Sequence, residues 1–232
     1  MKKAYCTAIV LAAGQGKRMG TKVHKQYLLL AGKPVLYYSL KAFQESSIID
    51  EVILVTGKDE EKYCKEQIVD TFGFTKVTHI IEGGAERYDS VWNGLKVSKN
   101  EGYVFIHDGA RPFVDEPMLQ RVFEAVQKEK ACVLGMPMKA TVKIVDDNGY
   151  VSTTPDRSKV WMVQTPQVFE TALVKNAYEM LMQQENIQVT DDAMVVETIA
   201  MHPVKLVEGS YKNIKITTPD DLETGELFAK SL

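Results

Sequence analysis

The sequence of 232 residues lacks any apolar stretch close to the ~18 residues that a membrane-spanning helix requires. The apolar stretch near its start, residues 8–13, is short and has no small-residue cleavage site of the kind that follows a secretory signal peptide. Cysteine is scarce, and Cys6, Cys64 and Cys132 are too far apart for a disulfide framework or a metal-ligand cluster. We therefore expect a cytoplasmic protein without a membrane helix and with three buried, reduced thiols.

An excess of positive charge is also missing, because 28 Lys and Arg are balanced by 31 Asp and Glu, for a net charge of −3. Binding of nucleic acid through bulk charge is not expected, so an anionic ligand has to be met by a local cluster of cations. Hydrophobic residues make up 45% of the chain, which excludes an intrinsically disordered protein. With no internal repeat, linker or low-complexity tract, the sequence predicts a single domain over residues 1–232.

Short apolar strands alternate with amphipathic helices along most of the chain. This alternation predicts an α/β fold with a Rossmann-like, mostly parallel sheet and helices on both faces. The predicted strands are 7–13, 51–56, 77–82, 103–107, 132–138, 204–208 and 213–217. The predicted helices are 34–44, 58–69, 87–98, 116–128, 170–184, 191–199 and 220–230. Asp115 and Thr218 are the predicted N-caps of the fourth and seventh helices, and Thr190, Asp191 and Asp192 are candidate caps of the sixth.

The alternation is interrupted after Met138. Residues 141–145 and 150–153 favour two short strands, and Asn148-Gly149 supplies the turn of a β-hairpin. We therefore predict an inserted hairpin arm over about residues 139–158. Because a hairpin alone is marginally stable in water, this arm packs either on the body of its own chain or on a second subunit.

The first predicted strand leads into a glycine-rich loop, residues 14–20. Its glycines are spaced one residue too far apart for the dinucleotide-binding fingerprint, and the G-K-[S/T] of a phosphate-binding Walker loop is missing. A purely structural turn between strand and helix would show the same glycines. Four cations nevertheless lie in or beside this loop: Lys17, Arg18, Lys22 and Lys25. In a chain of net negative charge, this density indicates an anion site.

The loop and five later segments resemble the 2-C-methyl-D-erythritol 4-phosphate cytidylyltransferases, a family of sugar nucleotidyltransferases. The later segments are 83–91, 107–112, 165–167, 190–193 and 213–222. Together the six motifs extend over nearly the whole chain in the family's order. The resemblance implies transfer of a cytidylyl group from CTP to a sugar-alcohol phosphate, 2-C-methyl-D-erythritol 4-phosphate, with release of pyrophosphate and no protein nucleophile.

The resemblance implies catalytic roles for Arg18, Lys25, Arg157 and Lys215. Arg18 and Lys25 would stabilise the charge of the pentacoordinate transition state, while Arg157 and Lys215 would orient the acceptor phosphate. Binding of the acceptor is implied for Asp108, Arg111, Thr141, Arg157 and Lys215. In this family the arm packs around a twofold-related subunit, so the resemblance also implies a homodimer.

Nucleotide binding is implied for a larger set, namely Ala12, Ala13, Gly14, Gln15, Gly16, Gly84, Ala85 and Ser90. Backbone N–H groups of residues 13–16 would cradle the triphosphate, and backbone carbonyls near Ala12 and Gly84, together with Ser90, would read the cytosine. The chain departs from the family at Ala85 and at Ala140, where an Asp is usual in each case. Selectivity for CTP or for the acceptor depends on whether those family contacts use the carboxylate.

Asp108 is also the candidate metal ligand. It follows an apolar strand, and side chains at the carboxyl ends of parallel strands point into the crevice where α/β sheets bind ligands. Its hard carboxylate oxygens suit Mg²⁺ or another divalent cation bridging phosphates, although a carboxylate here also fits a turn or helix cap. Neighbouring His107 fits a structural role better than a catalytic one.

Three alternatives are distinguishable from the sequence. A ribitol 5-phosphate cytidylyltransferase would share the fold and the chemistry and differ in the acceptor, and the Asp-Gly-Ala-Arg form of residues 108–111 favours the methylerythritol phosphate enzymes over it. A nicotinamide-dependent oxidoreductase would need the shorter glycine fingerprint and an acid where Thr56-Gly57 stands. A non-catalytic binding module would be expected to have lost Arg18, Lys25 or Asp108, and all three are present.

Overall fold

The structure, a computed structural model, describes residues 4–14, 16, 19–20 and 24–230. Its strands are β1 Cys6–Ala12, β2 Leu29–Leu30, β3 Lys33–Pro34, β4 Glu51–Thr56, β5 Val77–Glu82, β6 Tyr103–Asp108, β7 Ala131–Pro137, β8 Ile144–Val145, β9 Val151–Thr153, β10 Trp161–Glu170 and β11 Lys205–Glu208. Its α-helices are α1 Val35–Glu45, α2 Glu61–Cys64, α3 Arg87–Val97, α4 Glu116–Glu129, α5 Thr171–Leu181, α6 Asp192–Thr198 and α7 Pro219–Ala229.

Seven of these strands form one sheet in the order β11-β7-β10-β6-β1-β4-β5. Strand β1 pairs in parallel with both β4 and β6, and β10 is antiparallel to β6 and β7. The α/β prediction of a mostly parallel sheet is confirmed. Because β1, β4, β5 and β6 run in one direction, the loops that follow them meet at a single edge of the sheet.

Helices cover both faces of the sheet, as the near-continuous apolar strands require. On one face, Leu36 and Phe43 of α1 and Val122 of α4 join a fully buried cluster. On the other face, Val91 of α3 and Tyr178 of α5 belong to a second cluster, which also includes residues of α6. The sheet is therefore held rigidly between two apolar layers, and the loops at its edge are free to carry polar chemistry.

Two predicted elements are wrong or displaced. The helix predicted over 58–69 begins at Glu61 and changes to π-helical winding over Lys65–Asp70. Residues 213–217 are not a strand but an extended segment, whose Ile216 N donates to the carbonyl of Ala110. Of the predicted caps of the sixth helix, Thr190 is wrong and Asp191 is confirmed, because Asp191 is the N-cap of α6 and accepts from Met194 N at 2.9 Å.

The inserted hairpin is confirmed as the antiparallel pair of β8 and β9. In its turn, Asp146 Oδ1 accepts from the backbone N–H groups of Asn148 and Tyr150, and Gly149 has the positive φ of 84° that favours glycine. The arm's large side chains are exposed, with Tyr150 at 74% and Val151 at 57%. The arm therefore buries little apolar surface on its own chain.

The three cysteines are free and buried, as expected from their spacing. Burial raises the pKa of the Cys64 thiol to about 11 and that of Cys132 to about 12. Among the residues that the structure describes, no helix is long and apolar enough to cross a membrane.

Candidate active site

A cavity of about 520 Å³ opens at the sheet edge where the loops after β1, β5 and β6 meet. This is the position at which ligands bind in open α/β sheets. Most of the predicted site residues line it, namely Ala12, Ala13, Gly14, Gly16, Lys25, Gly84, Ala85, Ser90, Asp108 and Lys215. Two further predicted residues, Gln15 and Arg18, lie outside the described residues.

Gly16 lies close to Lys25, and both residues line this cavity. Gly16 has a φ of +64°, and a Cβ at this position would lie 3.2 Å from the side chain of Lys25. A Cβ at Gly14 would meet no atom of the described residues within 4 Å, its chain neighbours aside. In the described part of the chain, Gly14 therefore has open space beside its backbone, as close approach of a phosphate requires.

A short 3₁₀ turn, Lys25–Tyr27, aims Lys25 into the cavity. The buried Gln26 side chain donates through Nε2 to the carbonyl of Ala12, and Tyr27 donates its hydroxyl to Glu60 at 2.8 Å. Gln26 thus ties the turn to the end of β1, and Tyr27 ties it to the segment before α2. Gln26 and Tyr27 therefore anchor the turn that carries Lys25 to the cavity.

The loop after β5 packs closely against the glycine loop. A Cβ at Gly83 would lie 2.5 Å from the Ala13 side chain, so only glycine fits there without displacement of the loop. Ser90 Oγ accepts from Gly84 N at 3.0 Å and donates to the carbonyl of Glu86 at 3.2 Å. Ser90 therefore fixes the shape of this loop. Ala85 is exposed at its tip and offers only its backbone and a methyl group.

Asp108 at the end of β6 is buried at 8% exposure and paired on both oxygens. Lys215 Nζ donates to Oδ2 at 2.7 Å, and Arg87 Nε donates to Oδ1 at 3.2 Å. Burial by itself raises the pKa of this carboxyl, but the two cations outweigh burial and hold the pKa well below its usual range. Asp108 is thus a carboxylate at any physiological pH.

Arg87 was not recognised from the sequence as a site residue. Besides its contact with Asp108, its two terminal nitrogens donate to the two oxygens of Asp192, at 2.8 Å each. Asp192 is fully buried and accepts a further bond from the Tyr178 hydroxyl at 2.6 Å. The pair joins positions 105 residues apart, so no local pattern could have indicated it.

His107 is structural. Its ring is fully buried, with Nδ1 3.0 Å from Thr165 Oγ1 and Nε2 3.1 Å from the carbonyl of Arg111. Burial lowers its pKa to about 4, so the imidazole is neutral near pH 7. Thr165 Oγ1 also accepts from Asp108 N at 3.1 Å, so this pair fixes the backbone at the end of β6.

Three predicted acceptor residues do not line the cavity. Arg111 donates to the carbonyl of Asn213 at 2.8 Å, and its buried Nε has no hydrogen-bond partner among the described residues. Thr141 and Arg157 are exposed on the arm and beside it, where Arg157 donates to the carbonyl of Lys139 at 3.0 Å. Within a single chain, the arm therefore does not bring Thr141 or Arg157 to the cavity.

The donor set of the cavity fits a phosphate-bridging divalent cation better than a metal held by protein ligands alone. In the described part of the chain, no group of three or more His, Cys, Asp and Glu could hold a metal ion. Asp108 is a single carboxylate whose two oxygens each accept one bond, and a carboxylate offers about four acceptor positions. Mg²⁺ is commonly bound by one or two carboxylates together with substrate phosphates.

Comparison with known proteins gives one consistent answer. The family model "IspD: 2-C-methyl-D-erythritol 4-phosphate cytidylyltransferase" matches residues 6–231. Curated relatives of that name from Lachnoclostridium phytofermentans and Lachnospira eligens are each 51% identical, over 97% of this chain and 95% and 99% of theirs. The crystal structure of 4-diphosphocytidyl-2C-methyl-D-erythritol synthase from Anaerococcus prevotii superposes with a TM-score of 0.86, at 35% identity, covering 97% of this chain and 96% of that one.

Proposed function

The chain belongs to the 2-C-methyl-D-erythritol 4-phosphate cytidylyltransferase family, and from this premise we propose how its pocket performs the reaction. The enzyme transfers a cytidylyl group from CTP to 2-C-methyl-D-erythritol 4-phosphate and releases pyrophosphate, a step of isoprenoid biosynthesis. The observation that carries the residue assignments is one cavity lined by the glycine loop, Lys25, Asp108 and Lys215 together.

The chemistry is limited by electrostatics. An oxygen of the acceptor phosphate attacks the α-phosphorus of CTP, and the bond from that phosphorus to the pyrophosphate oxygen breaks. The attacking phosphate is already anionic, so the protein supplies neither a nucleophile nor a general base. Cations and N–H donors that hold the two anions together therefore do most of the catalysis.

The nucleotide would lie along the glycine loop. Backbone N–H groups of residues 13–16 would cradle the triphosphate, and this is supported by the space that the described residues leave beside Gly14. The cytosine would lie against the loop of Gly84, Ala85 and Ser90. Because Ala85 has no carboxylate and Ser90 is used to shape the loop, recognition of the base rests on backbone groups of this loop and on the second lone pair of the Ala12 carbonyl.

Lys25 and Arg18 would stabilise the charge that develops on the α-phosphoryl oxygens. Lys25 is well suited because its turn is anchored on both sides by Gln26 and Tyr27. Asp108 would hold a divalent cation, Mg²⁺ in the simplest case, which supplies charge neutralisation and orientation of the phosphates when it is bound. Lys215, at 2.7 Å from Asp108, would turn to the acceptor phosphate and orient it for attack.

The rest of the acceptor site would come from Arg111 and from the arm. The buried Nε of Arg111, which has no partner in the part of the chain that the structure describes, supports a role in binding the acceptor phosphate. We propose that residues 1–232 form one nucleotidyltransferase domain and that its arm packs on a second copy, where Thr141 and Arg157 complete the partner's pocket. This homodimer is supported by the exposed apolar side chains of Ile144, Val145 and Tyr150, since a two-stranded hairpin is marginal alone.

The activity is tested by incubating the purified protein with CTP, Mg²⁺ and 2-C-methyl-D-erythritol 4-phosphate and measuring pyrophosphate release. We expect turnover in the wild type and a loss of roughly 100-fold or more in Lys25→Met, because a charge-stabilising donor is removed from the transition state. Lys41→Met on the outer surface of α1 serves as a matched control. Turnover unchanged in Lys25→Met would contradict the assignment of Lys25.

The acceptor is tested by running the same assay with ribitol 5-phosphate and comparing kcat/KM. Both acceptors present the same phosphate to Lys215, so they differ only in how the pocket receives the carbon chain. We expect the methylerythritol phosphate to be strongly preferred, and equal or higher kcat/KM with ribitol 5-phosphate would refute that acceptor.

A further inference from the structure

Arg87 connects three of the sequence segments that resemble the family, namely 83–91, 107–112 and 190–193. It is the first residue of α3, directly after the loop proposed to receive the cytosine. Its guanidinium joins Asp192, the first residue of α6, to Asp108 at the end of β6. Both carboxylates and the stem of the arginine are largely buried, with the Asp192 side chain at 0% exposure and that of Arg87 at 30%. None of these contacts is local in sequence.

We propose that Arg87 is a positioning residue, which fixes the orientation of the Asp108 carboxylate through its own attachment to Asp192. The inference rests on the proposed function, in which Asp108 acts at the reacting phosphates. In this arrangement Asp192, which accepts from Tyr178, holds the guanidinium of Arg87 in place, and Arg87 in turn holds the Asp108 carboxylate.

The planar geometry of the guanidinium supports this division of roles. Once both terminal nitrogens are bound to the two oxygens of Asp192, the plane of the group and the direction of its Nε–H are determined. That Nε–H donates to Asp108 Oδ1. Neutralising Asp192 would require only the two terminal nitrogens, so the third bond serves Asp108.

Lys215, the other partner of Asp108, cannot set its orientation in the same way. An ammonium group on a flexible four-carbon stem adapts to the position of its acceptor. Lys215 is therefore able to leave Asp108 Oδ2 for a substrate phosphate while Arg87 keeps the carboxylate in place. This separates a residue that moves during the reaction from one that does not.

The test is a double-mutant cycle of Arg87→Lys and Asp108→Asn, assayed by pyrophosphate release. A lysine keeps the positive charge but cannot bind both Asp192 oxygens and Asp108 at once. We expect kcat to fall about tenfold or more in Arg87→Lys with KM for CTP changed less than about threefold, and less than about twofold further loss when Arg87→Lys is added to Asp108→Asn.

This outcome separates positioning from a structural role. A lower fraction of correctly folded enzyme would reduce kcat by the same factor in the wild-type and in the Asp108→Asn background, and multiplicative losses would overturn the proposal. Arg121→Lys is the matched control, since Arg121 also makes two hydrogen bonds, to the carbonyls of Glu208 and Gly209. We expect that variant to keep kcat within about twofold.

A second variant keeps the proposal testable if Arg87→Lys fails to fold. Arg87→Met combined with Asp192→Leu and Tyr178→Phe replaces the buried polar cluster by apolar side chains, a change that proteins often tolerate without loss of stability. We expect this triple variant to keep its Tm within a few degrees and still lose about tenfold in kcat. Wild-type kcat in the folded triple variant would overturn the proposal. Absence of turnover in the wild type itself would instead refute the proposed function.

Discussion

In the proposed mechanism, a single carboxylate, Asp108, holds the divalent cation. Asp108 lies among groups suited to bind anions, and burying it unpaired would be costly. Arg87 and Lys215 offset that cost, and together they keep the carboxylate ionised. Arg87 is also paired with Asp192, and Lys25 and Lys215 line the same pocket beside it.

His107, next to Asp108, gives a prediction about pH. Burial lowers its pKa from 6.5 to about 4, so between these values the unfolded chain binds a proton that the folded chain does not. Above pH 6.5 the ring is neutral in both states and lowers the free energy of unfolding by nothing. As the pH falls from 6.5 towards 4, protonation of the unfolded chain lowers the free energy of unfolding progressively. We expect the free energy of unfolding of the wild type to fall by up to about 3 kcal/mol more than that of His107→Gln over this range.

The measurement is urea unfolding of both proteins at half-unit pH steps with EDTA present, so that divalent cations do not contribute. Other titrating groups are common to both proteins and cancel in the difference. Parallel curves for wild type and His107→Gln between pH 6.5 and 4 would show that the buried ring is not neutral in the folded state.

At the scale of elements, the strands and helices with regular apolar spacing were predictable, and β10 was not. Pro166 interrupts this strand at the point where its register with β7 shifts, so the sequence shows no continuous strand pattern. The reverse error occurred at residues 213–217. The alternating apolar and polar residues of this segment do not pair with a neighbouring strand. They are held by individual hydrogen bonds, such as the one from Asn213 Nδ2 to the carbonyl of Thr165 at 2.9 Å.

Strand β10 also connects two segments that are distant in sequence, residues 165–167 and 190–193. Its Gln167 is 1% exposed, accepts from Ala193 N at 2.8 Å and donates to the N-cap residue Asp191 at 2.9 Å. Gln167→Leu would leave a buried N–H of α6 without a partner. We expect this change to lower the free energy of unfolding by about 1–3 kcal/mol.

Urea denaturation measures that loss, and Gln127→Leu is its control. Gln127 is exposed on α4 and donates to a carbonyl of its own helix at 3.1 Å, so its replacement should cost no more than about 0.5 kcal/mol. Equal losses in the two variants would mean that Gln167 does not anchor α6.

At the scale of the whole molecule, the net charge of −3 does not show that three cations, Lys25, Arg87 and Lys215, line one pocket. The sequence indicated the residues that follow β1 and β6, because glycines and cations cluster there visibly. It could not indicate Arg87 or Asp192, whose roles depend on a contact between two helix N-termini on one face of the sheet. Burial and pairing of single charged residues are properties of the fold and leave no local pattern.

The arm makes the oligomeric state a question about catalysis, and mixing of two inactive variants answers it. In Arg157→Met the arm is defective, and in Lys215→Met the body of the pocket is defective. If each arm completes the partner's pocket, a heterodimer of the two contains one pocket with both residues intact and one with neither. After co-refolding of equal amounts, half of the dimers are mixed, so we expect about one quarter of wild-type activity.

If Arg157 serves its own chain, every pocket in the mixture lacks one residue and the activity stays at the level of the separate variants. Recovery on mixing would therefore establish a pocket shared between subunits, because neither exchange of monomers nor folding alone can restore a missing side chain.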